Sequence, residues 1–267
     1  MQRVILRKRL SPRHQLLKGR VWTVPDKERL AESIAELALG QWMHVDHVLR
    51  SRTDQMASED TYAIDEAIKS LTVPSEQTSW HRDGWVFQFI SWIAAVEAKP
   101  GPVRAPQMDR ASKGFDGIQL LTDRSRTRAR ALIIFEDKAT ASPRKTVRDD
   151  VWQSFKEIER GSRDASLSAE LSNLLAREPK IDRVRAVNRV FRSPKGRRYR
   201  VSVTATVTHT AHPDLKGLFD GFEVAVPGRR SRRYANALEV EDLRAELAAL
   251  CDRAVELLES RRDCLTP

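Results

Sequence analysis

The stretch "IIFEDKAT" (Ile133–Thr140) joins a run typical of a buried strand to three consecutive charged residues. Four apolar residues in a row indicate a strand that crosses a protein core. Glu136, Asp137 and Lys138 follow them directly, although burying each charge without a partner would cost several kcal/mol. Charges in such a position need partners or a chemical task. The stretch therefore predicts a central strand with a functional site at its end.

The residues before this strand predict a β-hairpin that completes the site. "GFDGIQLL" has the pattern of a preceding strand, and the polar link "TDRSRTRAR" is typical of a hairpin connection. Because side chains alternate along a strand, Glu136 and Lys138 share one face and Asp137 points to the other. The hairpin places Asp116 beside Glu136. Two carboxylates with a nearby lysine can hold Mg²⁺ or Mn²⁺, which keeps water and substrate phosphate as further ligands.

The rest of the chain predicts helices around a sheet. Residues 78–98 are apolar on nearly every side and predict a buried helix. Glu97 lies off the weakly polar stripe of that helix and needs a partner. "RVRAVNRVF" and "RYRVSVTATVTH" are interpreted as a second hairpin, "GFEVAV" as a strand, and Asn236 as the cap of a closing helix. We expect an α/β fold with a mixed central sheet, divided into an N-terminal helical part (1–76) and a motif-bearing domain (77–267).

Composition favours a globular protein outside the membrane. Hydrophobic residues make up 40% of the 267 residues and charged residues 31%, which is enough apolar surface for a core. No apolar run reaches the roughly 18 residues of a membrane span, and the N-terminus is too polar for a signal peptide. Cys251 and Cys264 lack CxxC spacing. Two such cysteines favour reduced thiols and a cytoplasmic location.

Positive charge is clustered along the chain, whose net charge is +10. Arginine dominates the clusters, and its planar fork suits phosphate groups. Clustered cations favour a polyanion through counterion release, so a nucleic-acid partner is expected. A solvated basic surface is the alternative interpretation. The residues predicted to contact phosphates are Arg124, Arg126, Arg128, Arg192, Lys195, Arg197 and Arg198.

Asp116 in "GFDG" and the "EDK" triplet in "IIFEDKA" resemble the motif of the PD-(D/E)XK nucleases, the restriction-endonuclease-like superfamily. The resemblance covers residues 78–211 and implies a restriction-endonuclease-like core. It implies that Asp116 and Glu136 bind Mg²⁺ or Mn²⁺ and that Glu97 is a further ligand. Lys138 would orient the attacking water or help to deprotonate it. The chain departs from some branches in having Glu157, not tyrosine, four residues after Gln153.

"KGFDG", "FEDKA" and the long closing helix also resemble the HamA nucleases of Hachiman anti-phage systems. This resemblance implies a role in antiviral defence with a helicase or ATPase subunit as partner. The expected function is a metal-dependent deoxyribonuclease with little sequence specificity. The alternative is a catalytically inactive nucleic-acid-binding or assembly subunit of the same fold. The sequence leaves open the oligomeric state, the choice between DNA and RNA, and whether cutting is internal or from an end.

Overall fold

The computed structural model describes residues 4–9, 16–51, 61–73, 79–98, 100–107, 114–193, 195–210 and 217–265. Within these ranges, six strands form one sheet in the order β1-β2-β6-β5-β4-β3. The four inner strands run parallel, while β1 and β3 are antiparallel to their neighbours at the two edges. The strands are β1 (Leu6–Arg9), β2 (Lys18–Thr23), β3 (Gly117–Thr122), β4 (Ala129–Lys138), β5 (Arg197–Ala205) and β6 (Arg233–Glu239). The predicted α/β class with a mixed sheet is confirmed.

Helices cover both faces of the sheet, as a largely parallel sheet requires. One apolar cluster joins the Ile133 and Phe135 side of β4 to α4, α1–α3 and α11. A second cluster joins the Leu132 and Ile134 side to α6, α7, α8 and α10. The helices are α1 (Lys27–Ala38), α2 (Trp42–Ser51), α3 (Thr61–Leu71), α4 (Trp80–Ala98), α5 (Pro143–Thr146), α6 (Trp152–Glu159), α7 (Asp164–Ala176), α8 (Arg183–Phe191), α9 (Val207–Thr210), α10 (Phe222–Ala225) and α11 (Leu243–Leu265). None of them combines the length and apolar character that a membrane-crossing helix needs.

The two elements that carry the site form as the sequence predicts. β3 and β4 pair as an antiparallel hairpin in which Gly117 lies opposite Phe135. Helix α4 is buried along most of its length. Its tryptophans satisfy their indole N–H groups on nearby carbonyls, since Trp85 donates to Gln107 and Trp92 to Arg104. The predicted helix start at residue 78 lies outside the described residues.

The predicted second hairpin is wrong because its first arm is helix α8. Asp182 caps that helix by accepting a hydrogen bond from the Arg185 amide at 3.0 Å. Ala186 and Val190 are buried, whereas Val184 is exposed. The i, i+4 spacing of the buried pair is helical and outweighs the local alternation of apolar and polar residues.

Two further predictions, a strand at "GFEVAV" and a helix cap at Asn236, are wrong. "GFEVAV" contains the short helix α10, because Phe222 stacks on Trp152 with 4.5 Å between ring centroids. Asn236 lies inside β6, and the closing helix begins at Leu243. The "RYANALE" segment of β6 has low strand propensity, but it pairs with β5 on one side and β2 on the other. Pairing on both edges overrides the local preference.

The first 76 residues contribute to the sheet as well as supplying helices. Helices α1 to α3 occur in this part, and Asp26 caps α1 by accepting from the Arg29 amide at 3.0 Å. The expectation that residues 1–76 form a helical part is corrected by β1 and β2. Strand β2 pairs with β6, which is one of the two central strands of the sheet. The predicted domain boundary at residues 76 and 77 lies outside the described residues.

Candidate active site

The hairpin brings Asp116, Glu136 and Lys138 together at the carboxyl end of β4. Asp116 immediately precedes β3 and continues the register in which Gly117 faces Phe135, so it lies across from Glu136. The Lys138 Nζ is 3.2 Å from Asp116 Oδ2 and 3.0 Å from Glu136 Oε2. The two carboxylate oxygens are therefore at most about 6 Å apart, the sum of those two distances. One ammonium group bridges two acids.

Helices on the two faces of the sheet orient the carboxylates. Asp116 Oδ1 accepts from the Gln88 side-chain amide of α4 at 2.9 Å, and Oδ2 accepts from the Asp137 backbone N–H at 2.8 Å. Glu136 Oε1 accepts from Ser154 Oγ of α6 at 2.7 Å. These partners leave Glu136 little rotational freedom. Sequence reasoning did not assign Gln88 or Ser154 to the site, although Gln88 lies on the polar stripe of an otherwise apolar helix.

A π-helical turn precedes the serine that contacts Glu136. Residues Val147–Val151 form this turn between α5 and α6, with Val147 and Val151 both buried. Single π turns inside α-helices are frequent at functional sites. Gln153 is exposed and donates to Glu157 Oε1 at 3.0 Å. Helix α6 therefore contacts Glu136 through Ser154 and not through Gln153.

Asp116, Glu136 and Lys138 form a charged triad whose electrostatics favour additional positive charge. Burial raises the pKa of Glu136; the nearby Lys138 acts to lower it and the Asp116 charge adds to the rise. Burial acts to lower the pKa of Lys138, but the charges of Asp116 and Glu136 outweigh it and the pKa is raised. Lys138 therefore stays an ammonium ion near neutral pH. With both carboxylates ionised, the triad carries one net negative charge.

Asp137 points to the opposite face of β4 and forms a buried pair with Arg200 of β5. The Arg200 Nη2 is 3.5 Å from Asp137 Oδ2 and also donates to the Ser91 carbonyl of α4 at 3.2 Å. Its guanidinium lies over the Phe135 ring, 3.4 Å from the centroid. Burial raises the pKa of Asp137 and lowers that of Arg200 to about 10, so the arginine stays charged at pH 7. This pair anchors the backbone whose N–H holds Asp116.

Glu97 is held beside β1, at the edge of the sheet opposite the β3–β4 hairpin that carries the acids. Its two oxygens accept from Arg7 Nη2 at 2.7 Å and from the Val4 amide at 2.9 Å. Arg7 belongs to β1, four strand positions from β4, which corresponds to about 19 Å. The structure does not bring Glu97 to Asp116 and Glu136, and Arg7 is the partner that its buried carboxylate needs.

The basic residues predicted to bind phosphates lie at the amino end of the parallel strands. Arg197 pairs with Leu132, four residues before Glu136, so this end is about 13 Å from the acids along the strand. The segment from Arg189 to Arg200 therefore adjoins the end of β4 opposite the acids.

Three of those predicted residues have structural partners. Arg126 binds both oxygens of Glu178 and adopts a positive φ of 55° in the hairpin turn. Arg197 pairs with Asp164 at 2.8 Å. Arg198 donates to the Tyr234 hydroxyl at 2.9 Å. The remaining predicted side chains are exposed, namely Arg124, Arg128, Arg192 and Lys195.

The chemistry of the donor set fits a hard divalent cation at Asp116 and Glu136. Across the described residues, no three His, Cys, Asp or Glu side chains cluster as a complete metal-binding group. Mg²⁺ commonly binds through one or two carboxylates and takes its other ligands from water and phosphate. The Lys138 ammonium already bridges the two acids, which shows that they converge on one positive charge.

Comparison with known proteins adds no relative. No protein-family model, no curated protein and no solved structure matches the chain.

Proposed function

We propose that this protein is a Mg²⁺- or Mn²⁺-dependent nuclease of restriction-endonuclease-like fold that hydrolyses phosphodiester bonds in DNA. The observation that carries the proposal is the convergence of Asp116 and Glu136 on the Lys138 ammonium, within 3.2 Å. The order of elements supports it. A buried helix precedes the hairpin, and a helix followed by the parallel strand β5 comes after it, as that core requires.

The chain supplies orientation and charge for the reaction. Asp116 and Glu136 would hold the ion, which when bound lowers the pKa of water and neutralises phosphate charge. Gln88 and the Asp137 amide fix the Asp116 carboxylate, and Ser154 fixes Glu136. Because its pKa is raised, Lys138 acts as a cation that orients the attacking water and stabilises negative charge on the phosphate. It is not the base.

The proposal includes DNA as the substrate and little sequence specificity. Contacts to phosphates position a duplex but do not distinguish base pairs. A cytoplasmic role in anti-phage defence, with a helicase or ATPase subunit as partner, follows from the resemblance of the motif residues to HamA nucleases. The thiols of Cys251 and Cys264 agree with a reducing compartment.

Incubation with supercoiled plasmid tests the activity. We expect nicked and linear products with Mg²⁺ or Mn²⁺, with or without an added helicase partner, and none with EDTA; a parallel RNA substrate should be cut more slowly. The second candidate function is that of a binding or assembly subunit without catalysis. It is favoured by the Glu97–Arg7 pair, because that pair holds the third expected metal ligand away and leaves two carboxylates, Asp116 and Glu136, at the candidate active site. Intact plasmid under both metals and with the partner, alongside DNA binding, would establish that candidate instead.

A further inference from the structure

The amino end of the sheet carries a continuous basic surface. Three hydrogen bonds join its segments: Arg189 donates to the Arg130 carbonyl at 3.0 Å, Arg232 to that of Arg197 at 3.1 Å, and Arg230 to that of Leu17 at 2.7 Å. The exposed cations of this surface, which we call the amino-end basic surface, are Arg124, Arg128, Arg130, Arg160, Arg192, Lys195, Arg229 and Arg230. None of these eight forms an ion pair with a carboxylate in the described part of the chain.

A pocket of about 340 Å³ lies within this surface, between the end of α6 and the end of α8. Four guanidinium groups line it, from Arg160, Arg192, Arg197 and Arg232. Two of them are held by carboxylates, since Arg197 pairs with Asp164 at 2.8 Å and Arg232 with Glu159 at 2.7 Å. The exposed Arg160 and Arg192 are left to bind an anion, and their forked geometry suits a phosphate.

The pocket and the catalytic acids lie at opposite ends of the same elements. Helix α6 contacts Glu136 through Ser154 near its start and contacts Arg232 through Glu159 at its end. Along β4, the separation from Leu132, which lies opposite Arg197, to Glu136 is about 13 Å. A phosphate in the pocket is therefore not the one being cut. On a duplex that lies along β4 and rises about 3.4 Å per base pair, the two positions are roughly four base pairs apart.

We propose that the amino-end basic surface anchors the backbone of the DNA at a position about four base pairs from the bond that is cut. This inference rests on the proposed function, because it takes its substrate from that proposal. It adds a second contact site, centred on Arg160 and Arg192, that provides affinity without taking part in the chemistry. The positive charge of the amino-end basic surface favours nucleic acid as its ligand, since its eight exposed cations lack carboxylate partners within the described residues.

The test measures DNA binding without metal, so its outcome does not depend on cleavage. Fluorescence anisotropy follows a labelled duplex of roughly 20 base pairs, which is long enough to reach both positions. The variant is R160Q/R192Q. The control is R253Q/R262Q, which removes the same charge from surface ion pairs on α11. Thermal melting of both variants checks that the exposed substitutions leave the fold intact.

We expect R160Q/R192Q to raise the Kd about 30-fold at physiological salt and to flatten the salt dependence of log K by about two units, one for each lost phosphate contact. The control should bind within about twofold of the wild type. A wild-type Kd and salt slope in R160Q/R192Q would overturn the anchoring site. Because plasmid cleavage is scored separately, a failure of the anchor is distinguishable from a failure of the nuclease.

Discussion

Replacing Lys138 with alanine is expected to reduce metal-dependent DNA cleavage about 10²- to 10⁴-fold, the range associated with loss of a positioned catalytic group. Lys138 bridges Asp116 and Glu136, and its raised pKa keeps it charged beside the phosphate. DNA affinity should change little, because the amino-end basic surface is intact. The rate is measured under single-turnover conditions with Mg²⁺. Glu136→Ala should cause a loss of similar size.

Matched controls separate these effects from a change in overall charge. Lys145→Ala and Glu157→Ala remove an exposed lysine and an exposed glutamate from the segment after the motif. Both should cleave at close to the wild-type rate. Lys138→Ala should also gain more thermal stability from Mg²⁺ than the wild type, since its ammonium no longer competes for the two acids. Near-wild-type cleavage by Lys138→Ala would contradict its assigned role.

Replacing Arg200 with alanine is expected to lower the free energy of unfolding by about 3–5 kcal/mol, the usual effect of breaking a buried ion pair. Asp137 is fully buried, and Arg200 is its ion-pair partner from the neighbouring strand. The substitution also removes the guanidinium that packs on Phe135. Chemical denaturation at pH 7 gives the value. Arg198→Ala, at the half-buried start of the same strand, should cost less than about 1 kcal/mol.

A second substitution tests whether the uncompensated charge causes that loss. Asp137→Asn in the Arg200→Ala background removes the stranded carboxylate and should recover part of the stability. If Arg200→Ala costs as little as Arg198→Ala, the pair does not anchor β4. The positioning of Asp116 through the Asp137 amide would then need another explanation.

The sequence predicts the site better than it predicts the surrounding fold. The β3–β4 hairpin and buried α4 follow from local patterns of period two and continuous apolar character, and both are observed. The face shared by Glu136 and Lys138 follows from strand alternation alone. Asp116 meets them because a hairpin fixes its register.

Contacts between distant segments were not accessible from the sequence. Glu97 needed a partner, but nothing local indicated Arg7, 90 residues away. Ser154 reaches Glu136 through the packing of α6, and Arg200 reaches Asp137 through parallel strand pairing. The strand identity of β6 likewise depends on neighbours from both ends of the chain. Charge clustering located basic segments but did not show that they gather at the end of the sheet opposite the acids.

The most direct test of the central claim is anomalous diffraction from a crystal soaked in Mn²⁺. We expect one strong peak about 2.2 Å from a carboxylate oxygen of both Asp116 and Glu136, with the Lys138 ammonium moved aside. Two results would contradict the assignment of a metal-dependent nuclease. One is a Mn²⁺ peak at another position and not at these carboxylates. The other is no peak between Asp116 and Glu136 while the Lys138 ammonium still bridges them.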